Sequence, residues 1–316
     1  MGAYIIKRLG ISIIVIFLVT IFVFALVRIL PGDPVRLLLG AEASEADVES
    51  KRIELNYDKP LMRQYLIWIG GVFKGDFGES MLYQRPNLAI FKERIPRTVS
   101  IGLPALLIAV PISLLIGVIT AVRRGKLVDQ VLTFGITVGM GTPTFWVGIL
   151  SIYVFAIWLK ILPIQGYVSP SVDFGQYVYK AILPVFCMSF SMMASVARQT
   201  RTHMLESLNQ DYIRTHRAFG ISERKIVLKY ALKNALIPVV TVLGFMAMVI
   251  IGGSLLIERV FNIAGLGSLL VLAVNNRDYI LIQNCVLLIS VFTVGINFLV
   301  DILYGYVDPR IRLSRR

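Results

Sequence analysis

Cysteine and histidine are almost absent. Among 316 residues there are two of each: Cys187, Cys285, His203 and His216. Both cysteines sit in apolar runs, which excludes a disulfide framework and makes them packing residues. Two histidines without companions at ligand spacing match no metal site. Charge is scarce as well, at 16% of the chain, where a soluble domain carries about 25%. Also missing is G-x-x-x-x-G-K-[ST], the loop that cradles nucleotide phosphates. The single Gly-Lys pair, Gly125-Lys126, is followed by Leu127, and Thr120 stands where the first glycine belongs. ATP has no place here by that route. No Ser/His, paired-Asp or His-rich constellation lies in the apolar runs, which argues against an intramembrane enzyme. Asp301 is the only carboxylate in the last apolar run. That is too little for a proton relay, and it reads as an interface partner.

What the chain does have is hydrophobic length. Apolar residues make up 56% of it, and mean hydropathy is +0.75. Several runs reach the roughly 20 residues that cross a bilayer as helix. They are continuously apolar rather than alternating, which excludes an outer-membrane barrel. The expected fold is therefore an all-α polytopic membrane protein with six spans, at about 9–29, 99–122, 131–159, 181–197, 235–257 and 283–306. The first span follows Lys7 and Arg8 and lacks a small-residue cleavage site, so it reads as an uncleaved helix. Pro31, Gly32 and Pro34 end it. With the N-terminus inside, pieces 1–8, 123–130, 198–234 and 308–316 carry 17 basic residues. The outer pieces, nearly twice as long in total, carry 14. The positive-inside rule thus places both termini in the cytoplasm. The net charge of +13 is then topology plus attraction to anionic lipid, and no nucleic acid is needed. The chain divides into a first helix (1–30), an outer helical segment (31–98), a five-helix core (99–306) containing the inner loop 198–234, and a basic tail (307–316).

The outer segment is structured. Ser44 before Glu45 and Asp47 marks a helix start. Pro60 opens a second helix, on which Leu61, Tyr65, Trp68 and Val72 form one stripe, for packing or for an outer partner. "GDFGES" at 75–80 breaks the chain, and a further helix at 86–95 leads to Pro96 and the second span. In the third span Pro143 predicts a kink, with Thr142 and Thr144 beside it. It reads equally as a tolerated kink or as a cavity-lining break. Thr142, Thr144, Ser189, Ser191 and Ser195 are polar positions in spans, suited to a translocation path or to helix–helix hydrogen bonds. After the fifth span, Gly265 and Gly267 break the chain ahead of a short apolar helix too brief to cross. Glu258 and Arg259 beside it read as an interface ion pair or as part of an outer gate.

The inner stretch "DYIRTHRAFG" at 211–220 is different in kind. Tyr212, His216 and Phe219 share one helical face, and Arg214 and Arg217 project from the other. Gly220 suits a helix end, and Ser222 caps a second helix leading to Pro238. Read alone, this is either an amphipathic helix held by phosphate headgroups or a docking element. "RTHRAFG" at 214–220 followed by "ALIP" at 235–238 resembles the cytoplasmic signature of permease subunits of ABC importers. The chain further resembles the dipeptide/oligopeptide/nickel permease family in "RILPGDP" (28–34), "YDKPLMRQYLIWI" (57–69), "GDFGES" (75–80), "IPRTVSIG" (95–102), "GGSLLIERVFNIAGLG" (252–267), "NRDY" (276–279) and "VDPRIR" (307–312). Two positions depart from it: His216 and Phe219 stand where that family commonly has a small residue and a Lys or Leu.

The resemblance implies a pore-forming permease that moves peptides, or a nickel or other metal complex, inward across a bacterial or archaeal plasma membrane. Its partners would be a second homologous permease, one or two ABC ATPases and an extracytoplasmic substrate-binding protein. ATP would be used by partner subunits, with no cofactor or metal on this chain. Tyr212, Arg214, Thr215, His216, Arg217, Ala218, Phe219 and Gly220 would form the coupling helix that meets the ATPase. Glu258, Arg259, Gly265 and Gly267 would serve the outer gate or binding-protein docking. A proton-coupled transporter or channel is the alternative class, distinguished by whether ATPase, second-permease and binding-protein genes lie alongside.

Overall fold

In lipid every backbone N–H and C=O must find its partner within the protein, and a helix achieves this locally. The computed structural model describes residues 2–29, 34–40 and 43–307, and nearly all of its regular structure is helical. The order is α1 (Gly2–Ile29), α2 (Pro34–Leu39), α3 (Glu45–Glu54), α4 (Leu61–Phe73), a minimal hairpin of β1 (Glu79–Ser80) and β2 (Arg85–Pro86), and α5 (Asn87–Val122). Then come α6 (Leu127–Gly141), α7 (Thr144–Ser151), which runs on as a π-helical stretch (Ile152–Trp158), and α8 (Phe174–Leu208). The short helix α9 (Asp211–Ala218) precedes α10 (Glu223–Lys225), a second π-helical stretch (Ile226–Ala231) and α11 (Leu232–Gly253). Last are α12 (Leu255–Val260), α13 (Leu266–Asn275) and α14 (Tyr279–Val307).

Helices α1, α5, α8 and α14 are each long and apolar enough to cross a membrane, and two bent pairs bring the number to six. The third expected span is one of those pairs. α6 and the α7 segment meet at 104°, far more than a proline kink, because Thr142 is extended (ψ 123°) as well as followed by Pro143. The other pair, Glu223–Leu236 and Pro238–Met248, meets at 57°.

Pro96 does not separate two helices, as the sequence reading expected: α5 runs unbroken through Pro96, Pro104 and Pro111. A proline removes one helical donor and leaves the carbonyl four residues back unpaired. For Pro104 that carbonyl belongs to Ser100, and the Tyr177 hydroxyl donates to it at 2.6 Å. α5 and α8 lie close enough that a Cβ on Gly117 would meet Thr200 at 2.5 Å, the small-residue contact that lets membrane helices approach.

The expected cap at Ser44 forms, with its Oγ accepting from the Asp47 N–H at 3.2 Å. On α4, Tyr65 and Trp68 pack on Phe24 of α1, so the stripe serves packing, although Leu61 at its start is exposed. α1 begins before the expected boundary at residue 9, and its early turns hold Arg8 against Asp301 at 2.9 Å. Cys187 and Cys285 are free and buried. Pro31, Gly32 and most of the basic tail (308–316) lie outside the described residues.

Candidate functional site

α8 runs beyond the apolar layer and ends at Leu208; Gln210, in extended conformation (ψ 151°), then turns the chain into α9. One side of α9 is locked to the protein. Ile213 is fully buried among Ala121 of α5, Met204 of α8, and Ile226, Val227 and Ala231 of the π-helical stretch. The His216 ring lies against Tyr230, centroids 4.2 Å apart, and Tyr212 meets His216 edge-on. A polar chain runs alongside: Asn234 Nδ2 donates to the Tyr212 hydroxyl (2.8 Å), which lies 2.8 Å from Ser207 Oγ. Ser207 donates to the Ala231 carbonyl at 3.2 Å, so Tyr212 is the donor to Ser207. Three elements, α8, α9 and the α10–α11 run, are thereby joined through one short helix.

The other side is free. Arg214, Thr215, Arg217, Ala218 and Phe219 are exposed, Phe219 by 80%. Arg214 pairs with Asp211 within the helix, and Thr215 Oγ1 donates to the Asp211 carbonyl. Arg217 pairs with Glu223 across the turn at 2.7 Å; this hydrogen bond, opposed by slight desolvation, holds the Glu223 carboxyl below the ordinary carboxylate range. Gly220 has φ +72°. Its N–H donates to the Arg217 carbonyl at 2.9 Å and that of Ile221 to the His216 carbonyl at 3.1 Å. Those two bonds are the Schellman closure of a helix C-terminus. Ser222 begins the next helix through its carbonyl, which accepts from Lys225 and Ile226, and not through its side chain.

The single aromatic face expected on 211–220 is therefore divided. Tyr212 and His216 turn inward, while Phe219 shares the free side with the arginines. Residue 219 is the C-cap (ψ 8°), where the helix has ended, so helical spacing no longer sets its direction.

At the opposite end of the molecule, Glu258 forms no ion pair with Arg259, contrary to one of the two sequence readings. It is 3% exposed and accepts from Thr98 Oγ1 (2.7 Å), Ser254 Oγ (2.9 Å) and the Ser268 N–H (2.7 Å). Thr98 Oγ1 in turn accepts the Leu266 N–H at 2.8 Å. Both amides belong to the first turn of α13, so Glu258 and Thr98 together cap that helix and put a carboxylate at its positive end. Gly265 and Gly267 are there for space. A Cβ at 265 would stand 2.3 Å from Glu258 Oε1, and one at 267 would stand 3.0 Å from the Leu255 Cα.

The five polar span positions do not converge. Ser189 is buried and its Oγ donates to the Phe186 carbonyl; Thr142 Oγ1 donates to the Val138 carbonyl. Thr142 lines a cavity of about 250 Å³ with Trp146, Phe186 and Phe190. Ser195 lines another, of about 650 Å³, with Arg198, Gln199 and Thr202 of α8 and Thr241 and Phe245 of α11. Thr144 and Ser191 line neither. The sequence reading named Ser195 but missed Arg198, Gln199 and Thr202 beside it, although the i, i+3, i+4, i+7 spacing of the four marks one helix face. It also missed Asp129, which is 4% exposed and held by Arg201 through two bonds of 3.1 and 3.0 Å. Nothing in the sequence pairs residues 72 apart.

Residues 113–313 match the family described as the binding-protein-dependent transport system inner membrane component, and residues 1–102 match its N-terminal companion. A probable peptide ABC transporter permease of Sinorhizobium fredii is 40% identical, over 99% of this chain and all of its own length. A di/tripeptide transport system permease of Pseudomonas aeruginosa is 37% identical over the whole of both chains. An oligopeptide transport system permease of Bacillus subtilis is also 37% identical, over 98% of this chain and 99% of its own. Among solved structures, an inward-facing MetNI methionine ABC transporter chain shares the fold with a TM-score of 0.55 at 17% identity, covering 70% of this chain and 97% of that one.

Proposed function

The chain belongs to the inner-membrane components of binding-protein-dependent transport systems, and from that premise we propose how this permease is driven and what it carries. It is the pore-forming, multi-pass subunit of an ABC importer, a family that works with an ATPase and a substrate-binding protein. The cargo is a peptide, in keeping with the names of its relatives, with a nickel or other metal complex as the alternative. α9 is the coupling helix. Its end of the molecule is cytoplasmic, as are both termini, and separate subunits bind and hydrolyse ATP. A second, homologous permease completes the pathway, with one or two ATPases below it and the binding protein docking at the α13 end.

One observation carries this reading: α9 is fixed to the protein on one side and presents Phe219 with two arginines on the other. An exposed aromatic beside arginines is the composition of a protein-binding hot spot. A push on that face reaches α8 through Met204 and Ser207, and α11 through Tyr230 and Asn234. Rigid-body rocking of paired permeases then follows from ATPase closure. A headgroup-anchored helix would need only the arginines.

The test is co-purification of the ATPase with variants, paired with uptake. Phe219→Ala should lower ATPase retention about tenfold or more, the scale of one hot-spot side chain, and uptake should fall with it. Full ATPase binding and full uptake in Phe219→Ala and in an Arg214→Ala/Arg217→Ala double variant would refute the coupling role. The ligand retained by the cognate binding protein decides between peptide and metal complex.

A further inference from the structure

Where α1 ends, the structure builds a charged cleft that transport does not explain. Arg28 stands at the last turn of α1 with its guanidinium over two rings, 4.6 Å from the Phe24 centroid and 4.4 Å from that of Tyr57. Its Nε donates to Gln64 Oε1 at 3.0 Å, and Gln64 is itself held by the Tyr57 and Lys59 carbonyls. Stacking and this single bond fix the guanidinium plane while leaving its two terminal nitrogens without a protein partner among the described residues. No carboxylate of a described residue is within ion-pairing distance of it.

Arg28 lines a cleft of about 180 Å³ between α1, α4 and the start of α14. Gln283 lines the same cleft; it is only 5% exposed, and its carboxamide makes no hydrogen bond to a described residue. An unpartnered carboxamide on a cleft wall is open to a polar occupant. Among the described residues one other charged residue lines the cleft, Asp76, whose Oδ1 accepts the Gly78 N–H at 2.8 Å. Arg28 and Asp76 form no ion pair with each other, so each is open to a ligand group of the opposite charge. The rest of the wall is largely apolar, including Ile67, Trp68 and Ile280.

The surroundings identify the source of such a ligand. Leu61, Met62, Leu66 and Phe73 of α4 are exposed, and so are Phe22, Leu26 and Ile29 on the adjoining turns of α1. α1 is long and apolar enough to cross a membrane, so α4, packed on Phe24, continues its lipid-facing surface outward as an interfacial helix. The cleft lies at that boundary.

We propose that this cleft binds the zwitterionic headgroup of a phospholipid in the leaflet at the α4 end. The phosphate takes the free Arg28 nitrogens and the Gln283 carboxamide, and the ammonium faces Asp76. Arginine suits the phosphate because its planar fork donates to two oxygens at once. The site ties the segment after α1 to the bilayer independently of cargo.

The full-length chain, delipidated in detergent, would be titrated with phosphatidylethanolamine, phosphatidylglycerol, free phosphoethanolamine and inorganic phosphate, and bound species counted by native mass spectrometry. Phosphatidylethanolamine should bind best. Arg28→Gln should weaken it about tenfold, the scale of one lost charge-assisted contact. Asp76→Asn should keep lipid binding but abolish the preference for the ethanolamine over the glycerol headgroup. Because Arg28 also packs between two rings, Gln283→Leu is the second variant; it should lose affinity with an unchanged melting temperature. Equal phosphatidylethanolamine binding by the unaltered chain, Arg28→Gln and Gln283→Leu would overturn the proposal. Binding of inorganic phosphate or phosphoethanolamine as tight as that of the lipid would overturn the lipid source.

Discussion

Gly220 occupies a left-handed conformation at φ +72°, with nothing within 4 Å of where a Cβ would stand. The cost of replacing it is therefore conformational and not steric. A β-branched residue there costs roughly 1–3 kcal/mol, whereas Asn tolerates the left-handed region and closes helices in the same way. Gly220→Val should therefore insert normally yet lose ATPase co-purification and uptake together, while Gly220→Asn should retain most of both. Equal loss in the two variants would mean that the turn matters for something other than its φ. This residue was readable from the sequence, because a glycine closing a short amphipathic helix states a local geometric need. The directions of His216 and Phe219 were not, since they depend on Tyr230 being opposite one and on the helix having ended at the other.

Among the elements, α13 shows how a helix too short to span is held. Its first amides are taken by Glu258 and Thr98, and those bonds tie α5, α12 and α13 to one another. Glu258→Gln replaces one acceptor oxygen by a donor, which would face either the Ser268 N–H or the two hydroxyls. The two hydroxyls can rotate and the amide cannot, so Gln should settle with its oxygen toward Ser268 at a modest cost of about 1 kcal/mol. Gly265→Ala places a methyl 2.3 Å from the carboxylate and has no such escape. Thermal unfolding of the purified protein should therefore rank Gly265→Ala below Glu258→Gln, with both below the unaltered chain. The opposite rank would show that the carboxylate charge, and not the fit around it, holds α13. Glycines 265 and 267 were visible in the sequence, but as chain breakers; their partner lies just upstream in a separate helix, and Thr98 lies 160 residues before that partner.

For the whole molecule, the arrangement leaves two groups of exposed elements at opposite ends, α3–α4 with the hairpin at one and α9–α10 at the other. The basic residues favour the α9 end as cytoplasmic. Ser44 and Ser222 are exposed, one at each end, and the native Cys187 and Cys285 are buried, so background labelling is low. In intact cells Ser44→Cys should react with an impermeant maleimide, and Ser222→Cys should react only after permeabilisation. The reverse pattern would invert the topology and remove α9 from reach of any ATPase.

The sequence by itself determined the class of molecule, the approximate positions of the spans, the helix–turn–helix at 211–236 and the family. Each of these is a property summed over neighbouring residues: hydropathy over about 20 positions, caps and turns over a few, motifs in their order. Tertiary structure alone decided the 104° break at Thr142 and Pro143, the unbroken course of α5 and the two sides of α9. It also decided the partners of Glu258, Asp129 and Arg28. The Ser100 carbonyl left by Pro104 is satisfied by Tyr177, 77 residues further on, and Asp129 is held by Arg201. A buried polar group must be paired, but which distant side chain pairs it is set only when the helices come together.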